Sequence, residues 1–233
     1  MLNEKMVGLG SRRSVIREIF EYGKKRKAEI GEENVFDFSL GNPSVPAPAA
    51  VTAAMEHIIK ETDPVRLHGY TSAQGDMAVR AKIAKSIEKR FDFPANKDLI
   101  YMTCGAAASL TVTLNALVNS GDEIIIPAPF FPEYRVFAEN AEARVVTVMC
   151  REPDFQLDIK AIESAVNEKT KAIIINSPNN PTGAVFSPDT VKALSDMLND
   201  KQAEYGTDIY IIADEPYREL SYGAEVPYIP KYY

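Results

Sequence analysis

Ala172-Ile173-Ile174-Ile175-Asn176-Ser177-Pro178-Asn179-Asn180-Pro181-Thr182-Gly183, followed beyond a helical stretch by Ile209-Tyr210-Ile211-Ile212-Ala213-Asp214-Glu215-Pro216-Tyr217, decides the fold of this chain. In both halves a run of apolar, mostly β-branched residues stops abruptly at a polar cluster. Such short continuous runs, separated by a helix, read as neighbouring strands of a parallel sheet that is covered on both faces. In open α/β sheets ligands bind beyond the carboxyl ends of the strands. The two clusters therefore bring an amide (Asn180), a carboxylate (Asp214) and a phenol (Tyr217) to one place.

The same alternation extends outward. The spacing predicts a first core strand over residues 99–102, then a turn over 103–109 opening a helix that buries Leu110, Leu114 and Leu117. Further strands are expected over 123–126, 145–149, up to Asn176 and up to Asp214, with helices over 133–139, 158–166 and 188–199 between them. Strands alternating with helices imply right-handed crossovers, hence an α/β fold with three layers, α/β/α, around a mostly parallel sheet. Gly105, Ala106 and Ala107 open a helix with small residues, so its unpaired N–H groups and positive dipole end suit a phosphate. A plain strand-to-helix junction is the alternative. The chain has neither a Walker A pattern nor Gly-x-Gly-x-x-Gly, which removes the main support for a nucleotide. In Pro127-Ala128-Pro129-Phe130-Phe131-Pro132-Glu133-Tyr134, at another strand end, an aromatic side chain could lie flat on a planar ring. Offset stacking adds about 0.5–1.5 kcal/mol beyond burial. Packing in the core is the alternative for Phe130 and Phe131.

Ahead of this layer, a helix over 14–27 places Val15, Ile16, Ile19 and Phe20 on one face. Residues 36–40 alternate like a short strand and enter the turn Gly41-Asn42-Pro43. Pro48 opens a helix through Val51, Met55 and Ile58 or Ile59. Tyr70 precedes Gly75 and a helix with Val79, Ile83, Ile87 and Phe91 at four-residue spacing. With 233 residues, 45% hydrophobic and 25% charged, the chain has an ordinary soluble composition sufficient for one sizeable core. The net charge of −7 argues against nucleic acid or an acidic membrane as partner. Cys104 and Cys150 stand apart, and His57 and His68 show no triad or ligand spacing, so neither a metal site nor a disulfide framework is expected. The N-terminus lacks an apolar targeting core and no run approaches a membrane span, so the expected location is the cytoplasm.

The pairing of Asn180-Pro181-Thr182-Gly183 with Asp214-Glu215-Pro216-Tyr217 resembles the class I aminotransferases, fold type I enzymes that use pyridoxal 5'-phosphate (PLP). The resemblance implies that Asp214 faces the pyridine nitrogen and that Asn180 and Tyr217 hydrogen-bond the ring's phenolic oxygen. Cleaving a bond to Cα leaves negative charge, which the cofactor absorbs only when its pyridine nitrogen carries a proton. A carboxylate in contact supplies that bias, shifting a partner's pKa by ~1–3 units. Gly105, Ala106 and Ala107 are then the candidates for the cofactor's phosphate, and by the same resemblance Phe131 stacks on the ring, with Phe130 as fallback. Tyr70 reaches a partner subunit's phosphate across a dimer interface, and the Gly41 turn meets the substrate carboxylate, although a plain turn explains Gly41 equally well.

Residues 1–45 would then form an arm and minor-domain segment, and 46–233 part of the PLP-binding large domain. The resemblance also implies the strand order 3-2-4-5-6-7-1, of which this chain would supply the first five. The expected sheet is thus incomplete, with its first strand unpaired with its fifth. The Schiff-base lysine and the carboxylate-binding arginine are expected beyond Tyr233, because Lys231 lies too near Tyr217 to reach over the ring. The expected activity of the intact protein, a homodimer, is transfer of an amino group between an amino acid and a 2-oxo acid, with this chain inactive alone. The alternatives are a PLP-dependent C–S β-lyase of the same fold and a non-catalytic module.

Overall fold

The computed structural model describes residues 2, 4–11, 15–39, 41 and 45–233. The chain divides into two compact units, Met1–Tyr70 and Thr71–Tyr233.

The first unit carries helices α1 (Glu4–Ser11), α2 (Val15–Ile30), α3 (Ala49–Glu61) and the short α4 (Pro64–His68), the last capped by Asp63. The apolar residues expected to face inward on α2 and α3 are largely exposed, among them Val15, Ile19, Met55 and Ile59. The strand expected over 36–40 does not form: residues 35–38 are irregular, Phe36 and Phe38 are exposed, and Leu40 lies outside the described residues. Its physical competitor is Asp37, whose carboxylate accepts from both the Ser39 amide (2.9 Å) and the Ser39 hydroxyl (2.6 Å) and folds the chain into a local turn. Gly41 and Tyr70 both belong to this unit and both are exposed; Asn42 and Pro43 of the expected turn lie outside the described residues.

The second unit is the α/β layer. Helix α5 (Met77–Phe91) starts at an Asp76 cap and stops where Asp92 turns left-handed. Residues 99–102, expected as the first strand, are not one. Asn96 accepts from the Asp98 amide and draws 97–99 into a 3-10 turn, after which Met102 donates its amide to Gln74. A strand exists only with a partner to pair with, and no described strand lies beside these residues. Helix α6 (Ala106–Leu117) then buries Leu110 and Leu114, with Leu117 half-buried.

Strands β1 (Glu123–Ala128), β2 (Arg144–Met149), β3 (Thr170–Asn176) and β4 (Tyr210–Asp214) form one parallel sheet in the order β2-β1-β3-β4. With residues 99–102 counted as a first strand, this order is the 3-2-4-5 run expected from the resemblance. The intervening helices are α7 (Glu133–Asn140), α8 (Ile159–Ala165) and α9 (Pro188–Tyr205). Helix α9 runs farther than the expected 199, because its C-terminal signal is Gly206 in the left-handed conformation. Alternating residues sort the core onto two faces. Ile124, Ile126, Ala172 and Ile174 pack with Leu110, Leu114, Tyr134 and Ala138 of α6 and α7, whereas Ile125, Ile173 and Ile175 pack with Ile162, Val191, Leu194 and Leu198 of α8 and α9. The chain leaves β1 toward β2 with α7 on one face and returns to β3 with α8 on the other, which makes the carboxyl ends of β1 and β3 a topological switch point.

Candidate functional site

Two elements reach the switch point in register. Asn176 ends β3 directly opposite Asp214, which ends β4. The Asn176 side chain joins both polar clusters: its amide donates to the Asp214 backbone carbonyl (2.9 Å), and its carbonyl accepts from the Asn180 backbone amide (2.6 Å). The loop between is tied internally. Asn179 Oδ1 accepts from the Thr182 amide (3.1 Å) and hydroxyl (2.8 Å), and Gly183, at φ 74°, donates its amide to the Asn179 carbonyl. That φ is why glycine closes the Asn-Pro-Thr-Gly turn.

From β1 comes the aromatic side of the site. Phe131 and Tyr134 stand edge to face, with ring centres 5.6 Å apart at 79°. Tyr134, on the first turn of α7 and almost fully buried, donates its hydroxyl to Asp214 Oδ2 at 2.6 Å. Burial first, and then this bond to the carboxylate, push the phenol above its ordinary range, so Tyr134 is the donor throughout the working pH range. The fourth contributor is the start of α6, where Gly105 caps the helix at φ 93° and Thr103 donates to the Gly105 carbonyl.

Phe131, Asn180, Asp214, Tyr217 and Ala106 line a single cleft of about 160 Å³ together with Tyr134, Asn176 and Pro216. Gly105 and Ala107 flank Ala106 at the exposed helix start. Phe130 packs, like Phe131, against the α6–α7 core. Asn180 Nδ2 approaches the Tyr217 hydroxyl at 3.4 Å. Sequence reasoning missed Asn176 and Tyr134. Asn176 stood in plain view as the last residue of an apolar run, where polar side chains at strand ends are candidates. Tyr134 had only its place three residues beyond Phe131 as a signal.

One carboxylate, neutral donors, an aromatic face and a helix N-terminus around a small cleft make up a donor set suited to a planar, phosphorylated heteroaromatic ring. Among the described residues, no group of His, Cys, Asp and Glu is arranged to hold a metal ion, and no helix is long and apolar enough to cross a membrane. Residues 33–231 match the family model of Aminotransferase class I and II, and the chain belongs to that family, whose members use PLP.

An aminotransferase crystal structure from Eubacterium rectale is 52% identical, superposes with a TM-score of 0.96, and is covered over 100% of this chain and 59% of that one. Aspartate aminotransferase of Pyrococcus horikoshii is 30% identical over 91% of this chain and 50% of its own length. Alanine aminotransferase of Mycobacterium tuberculosis is 30% identical over 84% of this chain and 44% of its own. The chain spans about half the length of the curated relatives it matches.

Proposed function

We propose that the cleft between β1, β3 and β4 holds PLP, and that the intact protein transfers an amino group between an amino acid and a 2-oxo acid. The observation carrying this reading is that Asp214, Asn180, Tyr217, Phe131 and Ala106, which come from four separate segments, line one cleft at the carboxyl end of the sheet. Bound there, the pyridinium ring supplies a sink for the electrons of a bond broken at Cα. Asp214 holds the proton on the ring nitrogen, and Tyr134 fixes the carboxylate that does so. Asn180 and Tyr217 donate to the phenolic oxygen without adding a second full charge. Phe131 offers its face to the ring, and the amides at Gly105, Ala106 and Ala107 offer their N–H groups to the phosphate.

The same reading assigns Gly41 to the substrate carboxylate and Tyr70 to the phosphate of a partner in a cytoplasmic homodimer. It takes residues 1–45 as an arm and minor-domain segment, and 46–233 as part of the large domain. None of the residues lining the cleft is a lysine. Lys231 is exposed in a turn whose Ile229 and Tyr232 pack on the opposite, α8–α9 face of the sheet. This reading expects the covalent lysine outside residues 1–233 and this chain to be inactive alone.

Titration of the chain with PLP, followed by absorbance, tests the cleft. Saturable binding that Asp214→Ala and Asn180→Ala weaken is expected, without a stoichiometric pyridoxyl adduct on Lys231 after borohydride reduction. Wild-type affinity in both variants would sink the assignment. For the intact protein, consumption of a 2-oxo acid in step with an amino donor is expected, whereas release of pyruvate and ammonia from cysteine-like substrates would make it a lyase.

A further inference from the structure

We propose that Arg218 is a positioning residue for the cleft, acting through the loop that carries Tyr217; this rests on the reading of the cleft as a ring-binding site. Tyr217 needs something else to hold it. Its side-chain contact with Asn180 is long, 3.4 Å, and too weak to fix a phenol. Its location is therefore set by the backbone on either side, which Arg218 ties down. Arg218 opens a 3-10 turn (Arg218–Leu220), and its guanidinium folds back over the loop. Nε donates to Glu215 Oε2 at 2.9 Å and a terminal nitrogen to Glu215 Oε1, while the terminal nitrogens also donate to the carbonyls of Val226 (2.7 Å) and Pro227 (2.8 Å).

The same cation is only 11% exposed and lies 5.1 Å from the ring centre of Phe91 and 5.8 Å from that of Tyr228. Those two rings are themselves stacked at 4.2 Å and 3°. Arg90, next to Phe91, pairs with Glu219. Arg218, Glu219 and Tyr228 thus fasten the stretch from Glu215 to Tyr228 to the end of α5, and Tyr217 lies between Glu215 and Arg218, which pair with each other.

Arg218 also has an electrostatic effect. Glu215 directly follows Asp214 but turns to the other side, beside Ser177 and Val191, where Arg218 neutralises it. The cleft itself is lined by one carboxylate, Asp214, while Glu215 is paired outside it. Lysine cannot replace this residue fully, because a point charge lacks the planar fork that reaches a carboxylate and two carbonyls together.

The test compares the whole chain with Arg218→Met, Arg218→Lys, Tyr217→Phe and the double variant Arg218→Met/Tyr217→Phe, titrating each with PLP and recording hydrogen exchange over 215–228. Arg218→Met is expected to weaken PLP by about tenfold and to speed exchange in the loop, with Arg218→Lys in between. In the double variant the loss should be no greater than in Arg218→Met alone, since both substitutions remove the same Tyr217 contact. Additive losses, or unaltered affinity in Arg218→Met beside a wild type that binds, would overturn the role of Arg218. A wild type that binds no PLP would instead overturn the ring-site reading beneath it. If Arg218→Met does not fold, Arg218→Lys decides: wild-type exchange and affinity there would refute the proposal.

Discussion

At the residue scale, Asp214 and Tyr134 form a unit whose members cannot be judged singly. The Tyr134 hydroxyl is buried and its partner is the carboxylate, 2.6 Å away. Asp214→Ala strands that hydroxyl, which costs about 1–3 kcal/mol on top of any functional effect. Urea unfolding is expected to show this loss for Asp214→Ala and a partial recovery for Asp214→Ala/Tyr134→Phe, in which neither polar group remains. Strictly additive losses would mean that the bond contributes nothing to folding. In the intact protein Asp214→Ala should cut turnover far more than PLP retention, because the phosphate and ring contacts survive; a steady-state assay with a cofactor titration reads both.

At the element scale, the opposite end of the sheet shows how a strand start is anchored. Glu123 opens β1 and is buried, yet it accepts from Arg144 of β2 and, at 3.0 Å, from Asn167 ahead of β3. Burial alone would raise its pKa, but the hydrogen bonds from Arg144 and Asn167, with the charges of Arg144 and Lys169, outweigh it and hold the carboxyl below its ordinary 4.5. A depressed native pKa gives stability that is present above the unfolded value and lost as pH falls through the native one. Glu123→Gln should therefore flatten the stability curve below about pH 4.5 and cost roughly 1.5 kcal/mol at neutral pH, the low end for a charged hydrogen bond because Arg144 is solvent-exposed. Thermal melts across pH 3–7 check it, and an unchanged acid limb would refute it.

The elements also show what a sequence can and cannot reveal. β1 and β3 were legible because their apolar runs are covered on both faces, and β4 because its run has the same β-branched character although it ends the sheet. Residues 99–102 carry the same composition but no strand, since pairing depends on a neighbour that local sequence does not name. The cleft was legible where chemistry sat in a motif, as at Asn180 and Asp214. It was illegible where a contact joins distant positions: Tyr134 to Asp214 spans 80 residues, and no periodicity announces it.

At the scale of the α/β unit, the sheet ends in an edge. Among the described residues no strand lies beyond β4, and the order β2-β1-β3-β4 leaves its outer backbone groups without a ladder. Apart from Asp214 at its carboxyl end the strand carries no charge, and Tyr210 and Ala213 are exposed. Leu99, Tyr101, Met102 and Val112 add exposed apolar surface in the same unit. An open, flat, apolar edge strand is a template for pairing with another chain, and natural edges avoid this with lysine, proline or a bulge. The exposed apolar side chains reinforce the tendency. The chain by itself is therefore expected to elute from a sizing column above monomer size, increasingly so with concentration, and to bind a hydrophobic dye while folded. Tyr210→Lys puts a charge on the edge while leaving Ile211 in the α8–α9 core, and should shift the chain toward monomer without lowering its melting temperature by more than a few degrees. A wild-type chain that stays monomeric and dye-silent at high concentration would show that the β4 edge is protected in a way this arrangement does not provide.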